Sequence, residues 1–269
     1  MVDAVRSDND VDVDAEAWRQ LSELNLFGGE GGIKLILCKI LNTLSSLMDL
    51  QSKSHTIETV KFALSLVNVA LEAGGPALGG MGALVDIMRG DMCRHLLRAS
   101  QSDDLAVFGL ALRVVFNLFV SIKDHMKVQL EVYLTSVHLR LLKQGLDPSQ
   151  PMISHKSART ADNLALAREE LALESLLEFC REPSLMCDLY TNYDCDVQCT
   201  NLFRSIIEAL CARAVASAKK DKVSSHQRGG PRKSSVGGSG GRDLHRESVL
   251  NRLALDGVFA VLHAVATRV

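Results

Sequence analysis

The sequence predicts an all-α protein, a HEAT- or armadillo-like α-solenoid, on three observations. Hydrophobic residues make up 47% of the chain and aromatic residues 4%, with Leu and Ala, two strong helix formers, recurring throughout. Apolar residues recur at intervals of three and four, and the alternation typical of a β-strand is not evident. Two middle helices are also apolar on a second side, which favours stacked helix pairs over the alternative, a plain helical bundle.

The N-terminal half is predicted to contain five helices, each recognised by its apolar stripe. They cover residues 33–48, 57–71, 81–97, 105–122 and 126–141. Ser54 or Thr56 is expected to cap the second helix and Asp103 the fourth, while the third is weaker and should split near Gly90. The second sides of the last two helices consist of Leu110, Val114 and Leu118 in one and Val128, Val132 and Leu139 in the other.

Glycines and prolines supply most of the predicted breaks. The glycines at 28–32 are interpreted as a hinge before a helix, because no strand precedes them and no Gly-Lys-Ser/Thr follows. Residues 144–160, which contain two prolines, are expected to be a loop. Pro183 should end the helix before it, because the residue preceding a proline is disfavoured in the α conformation. A short turn is expected at 185–190. The remaining predicted helices cover residues 166–180, 199–214 and 250–265.

Composition divides the chain into four segments. They are an acidic flexible tail at 1–24, a helical domain at 25–216, a basic Ser/Gly-rich linker at 217–246 and, at 247–269, a terminal helix of the same domain. The linker is interpreted as a solvated spacer with phosphorylatable serines, and the alternative is a site for acidic lipid.

Charge and cysteine content argue against several protein classes. Lys and Arg number 30 against 32 Asp and Glu, so the net charge of −2 gives no general case for nucleic-acid binding. Seven cysteines without a signal peptide indicate a reducing compartment. No uninterrupted apolar run approaches the ~20 residues of a membrane-spanning helix, so we expect a soluble, cytoplasmic protein with at most peripheral membrane contact.

The densest set of reactive side chains lies in residues 189–199, Leu-Tyr-Thr-Asn-Tyr-Asp-Cys-Asp-Val-Gln-Cys. Asp194 and Asp196 precede a predicted helix, where carboxylates cap free N–H groups, and Asn192 suits a turn. The string is therefore interpreted as a rigid, hydrogen-bonded bend that can serve as a docking point. The alternative is a small zinc- or thiol-dependent enzyme, although Cys-x-x-Cys pairs and nearby histidines are absent. Its candidate residues are Cys180, Cys187, Cys195 and Cys199.

Several strings together resemble a known family. Ala172–Pro183 reads Ala-Leu-Glu-Ser-Leu-Leu-Glu-Phe-Cys-Arg-Glu-Pro, and it is followed by Leu189-Tyr190, Asn192-Tyr193-Asp194-Cys195-Asp196 and Cys199-Thr200-Asn201-Leu202-Phe203. This run resembles the N-terminal regulatory region of the large Arf guanine-nucleotide exchange factors, the Golgi brefeldin A-resistance or GNOM-like group. In that family, a domain upstream of the exchange domain carries an Asn-Tyr-Asp-Cys-Asp box. Residues 91–96, 127–134 and 253–257 are also similar to the family.

The resemblance implies a function and a set of partners. It makes the domain at 25–216 a non-catalytic regulatory domain of an exchange factor that acts in Golgi vesicle transport. The expected partner is the dimerisation domain of the same factor, an Arf-type GTPase is reached only indirectly, and the location is peripheral to Golgi or early secretory membranes. No cofactor, metal, nucleic acid or catalytic residue is implied. The partner-binding residues would be Asn192, Tyr193, Asp194, Cys195 and Asp196.

The sequence also departs from the family pattern. The upstream dimerisation domain and the Phe-Arg-Leu-Pro-Gly-Glu loop of the exchange domain are not seen in the chain. We therefore expect it to be a regulatory piece that does not exchange nucleotide by itself. A stand-alone helical adaptor remains the other alternative at this point.

Overall fold

The computed structural model describes residues 29–146, 156–216 and 240–268, and within these ranges it contains nine helices and no strand. The first five are α1 (Gly29–Leu47), α2 (Ile57–Gly74), α3 (Gly82–Ile87, continued through a π turn at Met88–Met92 into Cys93–Ala99), α4 (Leu105–Ile122) and α5 (Lys127–Tyr133, continued through a π turn at Leu134–Leu139 into Arg140–Leu146). The others are α6 (Lys156–Arg181), α7 (Pro183–Leu189, followed by a π turn at Tyr190–Asp194), α8 (Leu202–Ala214) and α9 (Gly240–Ala266).

Neighbouring helices stack in chain order, which confirms the predicted α-solenoid class. Helix α1 packs on α2 and α3, and both α2 and α3 pack on α4. Helix α4 then contacts α6, which also contacts the last part of α5. Helix α9 packs against α6, α7 and α8 and completes the C-terminal end of the stack. The core therefore runs as one continuous layer through the described helices.

The prediction that two middle helices are covered on a second side holds for one of them. In α4, Val114 and Leu118 are fully buried, because α2, α3 and α6 surround this helix. Of the three second-side residues of α5, only Leu139 is buried, while Val128 and Val132 are 64% and 42% exposed. The apolar second side of α5 therefore faces solvent over its first two turns.

Three helical stretches are long and apolar enough, by length and composition alone, to cross a membrane. They are Ile57–Gly80, Leu105–His125 and His245–Ala266. The sequence analysis counted only uninterrupted apolar runs, whereas the mean hydropathy of a stretch tolerates an isolated charge, so these three stretches escaped it. In this fold, the central Leu105–His125 stretch packs against protein on several sides, as a helix apolar around its circumference requires.

Several predicted boundaries shift. Asp104, not Asp103, caps α4, since its Oδ1 accepts from the backbone N–H groups of Ala106 and Val107 at 2.9 and 3.0 Å. The chain continues through Gly90 as a π turn and does not split there. Thr56 is confirmed as the cap of α2, accepting from the N–H of Thr59.

Several segments predicted to be loops, turns or hinges are helical in the structure. Helix α5 continues to Leu146 and α6 begins at Lys156, inside the expected loop, because residues 156–165 carry helix-forming Ala, Arg and Lys without a strong apolar stripe. The expected turn at 185–190 is helix α7, with Pro183 at its first position, where a missing N–H costs nothing. Glycines 29–32 lie in α1, so they are not a hinge. Helix α9 begins at Gly240, within the predicted linker. The acidic tail and linker residues 217–239 lie outside the described residues.

Buried polar contacts fix the C-terminal helices to one another. Arg213 of α8 is 1% exposed and pairs with Glu169 of α6, Nε to Oε1 at 2.8 Å. Its second partner is Glu247 of α9, at 3.1 Å. In α5, His138 is fully buried, and its Nε2 lies 3.1 Å from the Ser175 hydroxyl of α6. These contacts therefore link α8, which follows the bend at 190–201, to α6 and α9, and link α5 to α6.

Candidate docking corner

The predicted bend is a compact connection between α7 and α8, here called the corner and defined as residues 190–201. It starts with the π turn Tyr190–Asp194, continues through turns at 195–199 and ends where α8 begins. The N–H of Cys195 donates to the carbonyl of Tyr190, and the N–H of Asp196 to that of Tyr193. A π turn widens the helix by one residue and often occurs at functional sites.

Tyr193 anchors the corner to the first turn of α5. The side chain is 3% exposed, and its hydroxyl donates to the backbone carbonyl of Lys127 at 2.8 Å. The Lys127 ammonium also lies 5.7 Å from the Tyr193 ring centroid, within the range of a cation–π contact. Burial raises the pKa of the Tyr193 phenol, so this side chain stays neutral and serves as a donor. Tyr193 is therefore directed into the protein.

Asp194 caps α8 from a distance in sequence. Its two carboxylate oxygens accept from the backbone N–H groups of Phe203 and Arg204 at 2.8 and 3.0 Å. Asn201, at the N-cap position of α8, makes no side-chain capping bond. Asp194 supplies the missing acceptors and places its negative charge at the positive end of the helix dipole. The predicted capping role is thus confirmed for Asp194.

Asp196 has a different role from the one predicted, because it does not cap α8. Its Oδ2 accepts from the Lys127 ammonium at 2.7 Å, and its Oδ1 accepts from the N–H of Gln198 at 3.0 Å. The hydrogen bond from Lys127, followed by that from Gln198, lowers the pKa of the Asp196 carboxyl below its ordinary value. The same ion pair raises the pKa of Lys127. Asp196 therefore ties the corner to α5.

A further contact from α5 secures the far end of the corner. The Glu131 carboxylate accepts from the N–H of Thr200 at 2.8 Å. Lys127 and Glu131 lie one turn apart on α5 and together hold the corner at three of its residues. The sequence reasoning noticed the string 127–134 but did not assign these two residues to the site. The available signal was the opposite charge of Lys127 and the aspartates.

Two members of the box face outward. Asn192 and Cys195 are exposed, in contrast to the buried ring of Tyr193. Their neighbours Tyr190 and Val197 are 54% and 100% exposed, although both could pack in a core. The sequence reasoning did not pick out these two residues. The corner therefore presents a mixed polar and apolar surface on a backbone fixed from within.

Asn192 is one of the residues that line a small cleft beside the corner. The cleft has a volume of about 190 Å³. Its walls are Lys123, Asp124, Lys127, Leu130, Leu185, Asp188, Leu189, Asn192 and Tyr193. Lys123 pairs with Asp188 across it, so the charged groups in the cleft are largely compensated.

The cysteines that defined the enzyme alternative do not form a common site. Cys180 is buried, and burial raises its pKa to about 12, which opposes formation of a reactive thiolate. Cys187 and Cys199 are half-buried, while Cys195 faces solvent. Among the described residues, no group of three or more His, Cys, Asp or Glu side chains is arranged to hold a metal ion. Helix α8 starts at Leu202, so Cys195 and Cys199 do not share a helical face.

Comparison with known proteins identifies the same family that the sequence motifs at 172–203 resemble. Residues 36–202 match the family described as Mon2/Sec7/BIG1-like, HUS domain. The chain is 31% identical, over 70% of its length, to the ARF guanine-nucleotide exchange factor GNL2 of Arabidopsis thaliana. It is 29% identical over 65% of its length to GNOM of the same plant, and 31% identical over 65% to the Golgi-specific brefeldin A-resistance guanine nucleotide exchange factor 1 homolog of Caenorhabditis elegans.

The match covers a small part of these relatives. The chain spans 13% of GNL2, 11% of GNOM and 8% of the C. elegans protein. The matched residues include α2 to α7 and the whole corner. The chain therefore belongs to the Mon2/Sec7/BIG1-like HUS-domain family, and its matched part is a non-catalytic, regulatory region of the kind found in ARF guanine-nucleotide exchange factors.

Proposed function

We propose that this chain is the docking module of an Arf guanine-nucleotide exchange factor, and that it binds the dimerisation domain of that factor through the corner. Binding would position the factor at Golgi or early secretory membranes, where it activates an Arf-type GTPase in vesicle transport. The chain itself takes no part in nucleotide exchange. Its contribution is a rigid surface that recognises another domain.

One observation supports this proposal most directly: within residues 192–196, three side chains hold the corner and two face solvent. Tyr193, Asp194 and Asp196 are fully engaged in holding the corner against α5 and α8. Asn192 and Cys195 face solvent from a backbone that these bonds immobilise. A preorganised surface loses little conformational entropy on binding, which is the property expected of a docking site. The relatives support the choice of exchange factor.

Titration calorimetry with the isolated dimerisation domain tests the docking role. Asn192→Ala should weaken binding about tenfold, which corresponds to ~1.4 kcal/mol, without changing the melting temperature. Asp194→Ala should weaken binding and lower the melting temperature together, because it loosens the corner. Asn42→Ala, an exposed asparagine on α1, is the matched control and should change neither. Unchanged affinity of folded Asn192→Ala and Cys195→Ala variants would contradict the docking role.

Localisation is tested separately. The name of the C. elegans relative includes the term Golgi-specific, which supports a Golgi location for this chain. A fluorescently tagged chain should overlap a Golgi marker in cells, and Asn192→Ala should disperse it if recruitment depends on docking. A tagged wild-type chain spread evenly through the cytosol would contradict recruitment, while leaving the calorimetric result intact.

A further inference from the structure

The last helix of the stack carries a row of apolar side chains on its outer side. Leu255, Phe259 and Leu262 of α9 are 45%, 59% and 60% exposed. Their spacing by four and three residues places them next to one another on one helical face. The opposite face packs into the protein through four buried residues, Leu250, Ala254, Val261 and Ala264. A helix that is apolar on two sides is typically covered on both, so the outer row marks a surface for a partner.

Two ionisable side chains, Asp256 and His263, border this row. Around the helix axis, both lie about 40–60° from Phe259, on the side away from the two leucines. Both are exposed, and within the described ranges neither side chain takes part in an ion pair or a side-chain hydrogen bond. On α2, which also exposes apolar residues, Glu72 by contrast already accepts from the amide of Asn117 at 3.0 Å. The outer face of α9 therefore keeps a carboxylate and an imidazole for a partner.

We infer that this face binds a second copy of the chain, through two α9 helices that pack antiparallel about a twofold axis at Phe259. Such an axis places each residue opposite the one that lies equally far from Phe259 in the other direction along the sequence. Leu255 then lies within one residue, about 1.5 Å along the helix, of Leu262 of the second copy. Asp256 lies equally close to His263 of the second copy, because the axis keeps each flank of the helix on its own side. Apolar side chains therefore meet apolar ones, and each carboxylate meets an imidazole.

Charge and size both bear on the choice of this partner. The Asp256 carboxylate would be repelled by anionic lipid headgroups and would lose its water in the acyl region, whereas a second copy supplies His263 for it. The part of α9 from residue 248 to residue 266 is about 27 Å long. Two helices that meet over this length form an interface at the small end of the range for specific complexes. We therefore expect a weak, reversible dimer with a Kd of about 10 µM.

Sedimentation equilibrium of the full chain, at concentrations below and above this Kd, tests the inference. The wild-type chain should pass from monomer to dimer over that range. Phe259→Glu should raise the Kd by roughly tenfold or more, because the axis would bring two carboxylates together in an apolar contact. Phe62→Glu is the matched control, since Phe62 lies on α2 and is 61% exposed against 59% for Phe259. It should leave the Kd unchanged.

Exchange of the two flanking charges tests the antiparallel register separately. Asp256→Lys and His263→Asp should each weaken association, since each leaves the residue opposite it without an attractive partner. The double variant restores opposite charges and should return the Kd to within about threefold of wild type. Both positions are exposed, so this comparison still decides the matter should Phe259→Glu fail to fold by circular dichroism.

Three results would overturn the inference. They are a wild-type chain that stays monomeric, equal responses of the Phe259→Glu and Phe62→Glu variants, and a double charge variant that does not recover association. A monomeric wild-type chain that floats with anionic liposomes would assign the face to a lipid surface instead.

Discussion

Replacing Asp194 with alanine removes the cap of α8 and with it the fixed geometry of the corner. The substitution deletes two hydrogen bonds, from the N–H groups of Phe203 and Arg204 at 2.8 and 3.0 Å. Alanine offers no replacement acceptor, and Asn201 at the N-cap position makes no side-chain capping bond. Water can reach the exposed Arg204 end, so only part of the bond energy is lost.

The expected loss in unfolding free energy follows from these two bonds. Removal of an N-cap side chain costs about 1 kcal/mol, and the charge of the carboxylate at the helix N-terminus adds about 0.3–1 kcal/mol. Because one carboxylate accepts hydrogen bonds from two N–H groups, we expect the unfolding free energy to fall by about 2 kcal/mol. For a chain of this size, that corresponds to a drop of roughly 4–8 °C in melting temperature.

Thermal and urea denaturation followed by circular dichroism measure this loss. Asp194→Asn keeps one neutral acceptor and should lose roughly half as much. Asp124→Ala removes an exposed carboxylate beside the same cleft and should stay within about 0.5 kcal/mol of wild type. A melting temperature of Asp194→Ala equal to that of Asp124→Ala would refute the capping argument.

Three further predictions concern the buried interior. Arg213→Ala should lower the unfolding free energy in urea denaturation by about 3–5 kcal/mol, because the buried Glu169 loses the guanidinium it pairs with. Replacing Arg213 and Glu169 together with Met should recover much of this loss. Gly145→Ala should cost about 1–3 kcal/mol by the same assay, since a Cβ there overlaps the Glu169 carboxylate, which is held by its ion pair. Burial lowers the pKa of His138 to about 4. As the pH falls below 6.5, this imidazole therefore becomes protonated in the unfolded chain while it stays neutral in the native chain. The unfolding free energy should therefore fall by up to about 3 kcal/mol between pH 6.5 and 4, and His138→Gln should flatten this dependence, whereas an unchanged slope would contradict it.

The fold class could be predicted from the sequence because helix periodicity survives in local stripes. In α4, the repeat at three and four is a direct consequence of burial on several sides, so the pattern and the packing coincide. The pattern failed where packing does not need large residues. The first ten residues of α6 form a helix without an apolar stripe, and Gly90 is tolerated inside a π turn. Neither outcome leaves a periodic signal that could be found in advance.

The bend at 190–201 could be predicted from the sequence, but the contacts that hold it could not. The aspartates before a helix predicted a capped bend, and Asp194 fulfils that prediction. The partners Lys127 and Glu131 lie more than sixty residues away in sequence, with separations of 69 for both of their side-chain bonds to the corner. Local rules contain no information about such contacts. Only the stacking of α5 against the corner brings opposite charges together.

These contacts with α5 and α8 change how substitutions in residues 192–196 must be interpreted. Successive side chains on a helical turn point in different directions, so five adjacent residues cannot all face one partner. Here Tyr193, Asp194 and Asp196 hold the corner in place, whereas Asn192 and Cys195 face solvent, where the proposed function has them touch the partner directly. A loss of binding in the first group is therefore ambiguous unless stability is measured beside it. A loss confined to binding, in the second group, is the result that separates contact from support.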